Sequence, residues 1–182
     1  MLFDTSDLQE YEMPPACEGK SFCFEKGDNY PEERIADILS DMRDLTVNYP
    51  EVQTSIGDRK KRESSGGPTY DEADCPSNTT ANPIYYIVDV NDKVRVVVQS
   101  SEKFMQIYTV RWCLNEGRIR SDTPHFKRNL YTRFAIECVT SMMDFDFFVL
   151  SDEMDANTNK LEIARPKGGI PVCCKCQYHT IE

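Results

Sequence analysis

Cys173, Cys174 and Cys176 crowd into one strand-length stretch, and His179 follows three residues later. Thiols and an imidazole this close have three chemical uses: binding zinc, attacking a carbonyl, or oxidising to disulfides. A Cys₃His set holds zinc tetrahedrally, but structural zinc sites draw their ligands from two well-separated knuckles. On an extended strand the side chains of adjacent Cys173 and Cys174 point to opposite faces, which argues against one shared ion. Catalysis is no better served. The only histidines are His125, in a polar stretch, and His179. There is no Gly-rich phosphate loop, nucleophile elbow or metal-protease helix. Asp144 and Asp146 alternate with Phe145, Phe147 and Phe148, the pattern of a half-solvated strand. The expectation is therefore no catalytic residue, no metal and no cofactor. Oxidation remains. Eight cysteines, an even number, read as a disulfide framework made in an oxidising compartment. Composition leaves the connectivity open among on the order of a hundred pairings.

The elements that must position these thiols come next. The chain has 182 residues, enough for one ordinary domain or a smaller one with an appendage. A net charge of −10 makes nucleic acid or an anionic membrane a poor partner. No run of about 18 apolar residues is present to span a bilayer. Asp4, Asp7, Glu10 and Glu12 interrupt the start, so any secretory signal of the natural product is expected to lie outside this sequence.

Composition breaks sharply once, at Arg59-Lys60-Lys61-Arg62 followed by Glu63-Ser64-Ser65-Gly66-Gly67-Pro68. A polar, Gly-rich linker carrying a basic run is where a trypsin-like or furin-like protease can thread the backbone, so cleavage after Arg62 is expected. This divides the chain into residues 1–62 and 63–182. In the first part, Cys17 and Cys23 suit a small local loop. Ile35, Ile38, Leu39, Met42 and Leu45 recur at spacings of three and four, which predicts an amphipathic helix over Glu32 to Leu45. Pro31, Glu32 and Glu33 suit its first turn. So short a helix needs a surface to lie on.

Past Arg62 the period becomes extended. Ile84 to Val88 and Val94 to Gln99 flank the turn formers Asp89 to Asp92. A third run spans Gln106 to Trp112. Phe145 to Leu150 and Leu161 to Ile163 flank Asp155-Ala156-Asn157-Thr158-Asn159, which predicts a hairpin. The second part reads as all-β. Asn78-Thr79-Thr80 is an N-glycosylation sequon in a turn-prone stretch.

Two separated stretches carry a resemblance. The ending Gly169-Ile170-Pro171-Val172-Cys173-Cys174-Lys175-Cys176, with Cys75, Cys113 and Cys138 before it, resembles the Spätzle family of invertebrate Toll-receptor ligands. Phe22-Cys23-Phe24-Glu25 followed by Asp28-Asn29-Tyr30-Pro31 is similar to that family's pro-segment signature. The resemblance implies a secreted, extracellular pro-cytokine. Its pro-segment, 1–62, has one short amphipathic helix. Its ligand domain, 63–182, is a small disulfide-rich, neurotrophin-like cystine knot of extended β-hairpins. It further implies a homodimer, activated by a serine or furin-like protease, that binds the leucine-rich ectodomain of a Toll-type receptor in innate immune or developmental signalling.

By position, the resemblance pairs Cys75 with Cys138 and Cys113 with Cys174, and makes Cys173 the link between protomers. Cys176 matches the last knot cysteine. Its partner in relatives lies shortly after Cys113, where this chain has Leu114 to Arg120 and no cysteine, so Cys176 stays unassigned. A Trp-bearing loop of relatives aligns here with Val94 and Arg95. A bridge from Cys75 to Cys138 closes a loop of roughly 60 residues, worth on the order of 4 kcal/mol in the chain-entropy model. Arg118, Arg120, Lys127, Arg128 and Arg133 make a basic stretch that could steer onto an acidic receptor surface, with Trp112 and Phe126 as apolar anchors. A growth factor for another receptor, or a secreted protease inhibitor, would use the same cysteines. An inhibitor would block a protease, whereas a latent ligand would bind only after proteolysis.

Overall fold

The structure is a computed structural model, described for residues 10–41, 75–101, 104–119, 134–152 and 161–180. In chain order the elements are β1 (Phe22–Cys23), α1 (Glu32–Asp41), β2 (Ser77–Thr80), β3 (Tyr86–Val88), β4 (Val94–Val96) and β5 (Val110–Cys113). They continue with β6 (Gly117–Arg118), β7 (Phe134–Met143), β8 (Phe147–Leu150), β9 (Leu161–Ala164) and β10 (Ile170–Thr180). The protein is a disulfide-rich, mainly β chain. Its residues group into two compact units.

The first unit combines Met1–Ser55 with Asn82–Tyr108 and Asp144–Gly169. Its three-stranded antiparallel sheet has the order β1-β3-β4, and β8 pairs with β9. The β3–β4 turn is set by Asp89, whose Oδ1 accepts the N–H groups of Asn91 and Lys93. Asp92 takes φ 63° there, a left-handed conformation that short polar side chains tolerate. These strands are only two to four residues long and cannot bury much by themselves. Their core is completed from upstream. Cys17, Cys23, Tyr30, Ile35 and Ile38 cluster with Tyr86, Val96, Val98 and Leu150. Ile35 and Ile38, on the apolar face of α1, are essentially fully buried, and each such side chain is worth about 1.5–3 kcal/mol. Leu39 packs against the same cluster. Of the helix expected to reach Leu45, the stretch beyond Asp41, with Met42, lies outside the described residues.

Buried polar side chains replace missing strand backbone in this unit. The Tyr30 hydroxyl donates to the Val97 carbonyl at 2.7 Å and accepts the Gln99 N–H at 2.9 Å. Gln99 Nε2 donates to the carbonyls of Ile84 and Gln106, and its Oε1 accepts the Gln106 N–H. Gln106 Nε2 in turn donates to the carbonyls of Val98 and Phe148, while its Oε1 accepts the Phe148 N–H. The expected strand from Gln106 to Trp112 is accordingly shorter. Around Gln106 the side chain makes the ladder bonds, and regular pairing begins only at Val110.

The second unit combines Ile56–Ala81, Thr109–Met143 and Ile170–Glu182. β7 and β10 form a long antiparallel pair with β6 on the far side of β7, and β2 pairs with β5. The β7–β10 register shifts at a bulge between Pro171 and Cys173. Cys75–Cys138 and Cys113–Cys174 are bridged. These four half-cystines, with Ile119 and Ile136, form the buried cluster. Sulfur therefore takes the place that aliphatic side chains hold in a larger core.

Tyr30→Phe keeps the ring but orphans a buried N–H and shares out a buried carbonyl. It should cost about 1–3 kcal/mol, read as a lower urea midpoint at unchanged slope.

Candidate interaction and processing site

The residues upstream of the basic run are built as a fitted insert. Cys17–Cys23 closes a six-residue separation, and Pro15–Cys17 forms a 3₁₀ turn that starts with the Cys17 N–H on the Pro14 carbonyl. The loop presents Phe22 and Cys23 to the β3 edge in register with Ile87 and Tyr86. There the Tyr85 N–H donates to the Cys23 carbonyl and the Val88 N–H to the Ser21 carbonyl, each at 2.8 Å. Gly27 has φ +66°, and a Cβ there would lie 3.2 Å from Pro14. Glycine lets the chain turn tightly enough for the Tyr86 hydroxyl to reach the Lys26 carbonyl at 3.0 Å. Tyr30 follows, edge-on to the rings of Tyr85 and Tyr86. Burial pushes its phenol well above the ordinary tyrosine range, so it stays protonated and keeps donating. Pro31 accepts the Ile35 N–H and opens α1, from which Arg34 donates to the Tyr11 hydroxyl and the Ser151 carbonyl.

Beneath that contact lies a charge cluster. Arg95, 8 % exposed, pairs with Asp89, Asp152 and Glu162 and donates to the Leu150 carbonyl. Its buried Nε is 3.4 Å from Asp152, without hydrogen-bond geometry to any described residue. Burial works against the guanidinium charge, but the bonds and fields of Glu162, Asp152 and Asp89 outweigh it. Burial likewise pushes Glu162 up, while the Ser151 hydroxyl and Arg95 together hold it below the usual glutamate value. Ser151 joins both systems, donating its hydroxyl to Glu162 and offering its carbonyl to Arg34.

In the second unit Cys173 is an exposed thiol, whereas its neighbour Cys174 is buried in the bridge to Cys113. Cys176, also exposed, stands in register with Cys138. Asn78 is exposed in β2 directly opposite half-buried Trp112 in β5. Arg118 is exposed in β6. The cleavage residues Arg59, Lys60, Lys61 and Arg62, and the receptor candidates Arg120, Phe126, Lys127 and Arg128, lie outside the described residues. None of the three bridges joins 10–41 to the part beyond the basic run. Among the described residues no helix is long and apolar enough to cross a membrane.

Sequence reasoning did not find Arg95, Gln99 or Gln106. The polar residues bounding a strand-like apolar run were the available signal. For Tyr30 it had only the Asn-Tyr-Pro string and no role. No protein-family model matches the chain, and no curated protein matches it.

Because Glu162 titrates lower in the folded chain than unfolded, its contribution is complete above the unfolded value, near 4.5. It is lost as pH falls through the folded value. Glu162→Gln should lower stability at neutral pH and flatten its decline as pH falls below the unfolded value, measured as urea midpoint against pH.

Proposed function

We propose that this chain is a secreted, latent signalling ligand of the Spätzle type. Residues 1–62 act as a leader, and 63–182 as a neurotrophin-like cystine-knot domain that binds a Toll-type receptor after cleavage at Arg59 to Arg62. The observation that carries the reading is how the leader is held. It completes the hairpin core through β1, Tyr30, Ile35 and Ile38, yet none of the three disulfides ties it to the remainder. Such a segment stays seated while the backbone is intact and can leave once it is cut, because its attachment becomes bimolecular and concentration-dependent.

Other features favour the same reading. The Cys75–Cys138 and Cys113–Cys174 bridges lie side by side, their half-cystines Cys138 and Cys174 on neighbouring β7 and β10. Two neighbouring bridges of this kind support the knot reading, in which one further bridge would be missing its partner. Cys173, exposed on the face opposite Cys174, is the candidate link to a second copy. With Trp112 and Arg118 it belongs to the surface that remains once the leader departs. Binding performs no chemistry; bringing two receptors together is the signal.

Cleavage of the full chain with a basic-site protease should give two fragments that separate on a denaturing gel without reductant. A single band there would show a covalent tie and defeat the release mechanism. Receptor ectodomain should bind the cut chain and not an uncut Arg62→Ala chain; equal binding by both removes latency. Cys173→Ser should convert the cut ligand on the same gel from dimer to monomer size.

A further inference from the structure

The sequon at Asn78 is used by neither the leader nor the bridges, and the fold gives it a specific neighbour. β2 and β5 pair with Asn78 opposite Trp112 and Thr80 opposite Val110. Directly opposed side chains of an antiparallel pair share one face, with Cβ atoms about 4.5–5.5 Å apart. On the other face Arg111 Nε donates to the Ser77 hydroxyl at 2.9 Å, which leaves Asn78 and Trp112 as neighbours on theirs. Asn78 is exposed, and its Oδ1 accepts the Thr79 N–H at 2.9 Å. That bond occupies the amide oxygen and leaves Nδ2 out of it. Trp112 is half-buried, so part of its surface stays accessible. It is the only tryptophan in the chain.

We infer that Asn78 carries an N-linked glycan whose first sugar lies over the open part of Trp112. During secretion, Asn78 Nδ2 attacks the anomeric carbon of an oligosaccharide held on a lipid diphosphate. The carbon–nitrogen bond forms, Nδ2 gives up one proton, and the lipid diphosphate leaves. The attached sugar then extends from a side chain whose nearest cross-strand neighbour is an indole, and apolar C–H faces of a sugar cover aromatic surface that water wets poorly. The inference rests on the secreted reading. It also narrows that reading, because a covered Trp112 does not contact the receptor and the Arg118 side of the unit is left to do so.

The full chain is made in a eukaryotic secretory host, peptide-mapped by mass spectrometry, and compared with an Asn78→Gln variant. Trp112 fluorescence and acrylamide quenching are then measured on the glycosylated chain and on the variant. Expected are a glycan on Asn78, and in the variant a red-shifted emission with a quenching constant up by about twofold. A Thr80→Ser chain, which keeps the sequon, should behave as wild type. Unmodified Asn78 overturns the inference, and so does a glycan whose removal leaves emission and quenching unchanged. Absence of receptor binding by the glycosylated chain after cleavage, with the fluorescence change intact, would count against the receptor reading alone.

Discussion

One hydroxyl holds the first unit together. Tyr30 inserts between the backbone groups of Val97 and Gln99, just past the end of β4, where Val97 makes only an isolated bridge to Val149. A buried N–H or carbonyl must find a partner or cost 1–3 kcal/mol or so. Water is kept out by Ile35, Ile38, Val96 and Val98, so the partner must come from the protein. Gln99 and Gln106 extend the same solution by folding their amides onto neighbouring backbone as surrogate peptide groups. The short strands depend on this substitution, because three-residue ladders offer few bonds of their own.

The two units thus answer one shortage in different ways. Neither has enough aliphatic residues to build a large core from its strands. The first recruits Tyr30, Ile35 and Ile38 from a distant part of the chain. The second uses two covalent bridges, which act mainly by restricting the unfolded state. A non-covalent solution is reversible and a covalent one is not.

The physics that repeats was legible from residues alone. The apolar stripe of α1 follows from the i, i+3, i+4 spacing of Ile35, Ile38 and Leu39. The β3–β4 turn follows from Asp89 to Asp92, and the β8–β9 pair from the two apolar runs around residues 155–159. Opposite facing of Cys173 and Cys174 follows from strand alternation, and the structure has one exposed and the other buried. The unread part consists of single contacts between residues far apart in sequence. Nothing local marks Tyr30 as the partner of a backbone 67 residues away. Nor does anything local mark Arg95 as the centre of three carboxylates, since an Arg between two valines reads as the solvent side of a strand.

The bulge between Pro171 and Cys173 sets the phase of everything after it. Strand faces alternate with a period of two, so an irregular step in the ladder inverts the sense in which later side chains point. Cys174 meets Cys113 only because that step has been taken. Surface loops in general can change length at little penalty. The few residues from Ile170 to Cys174 cannot: gaining or losing one there would turn the paired sulfur outward and its vicinal neighbour inward, exchanging their fates.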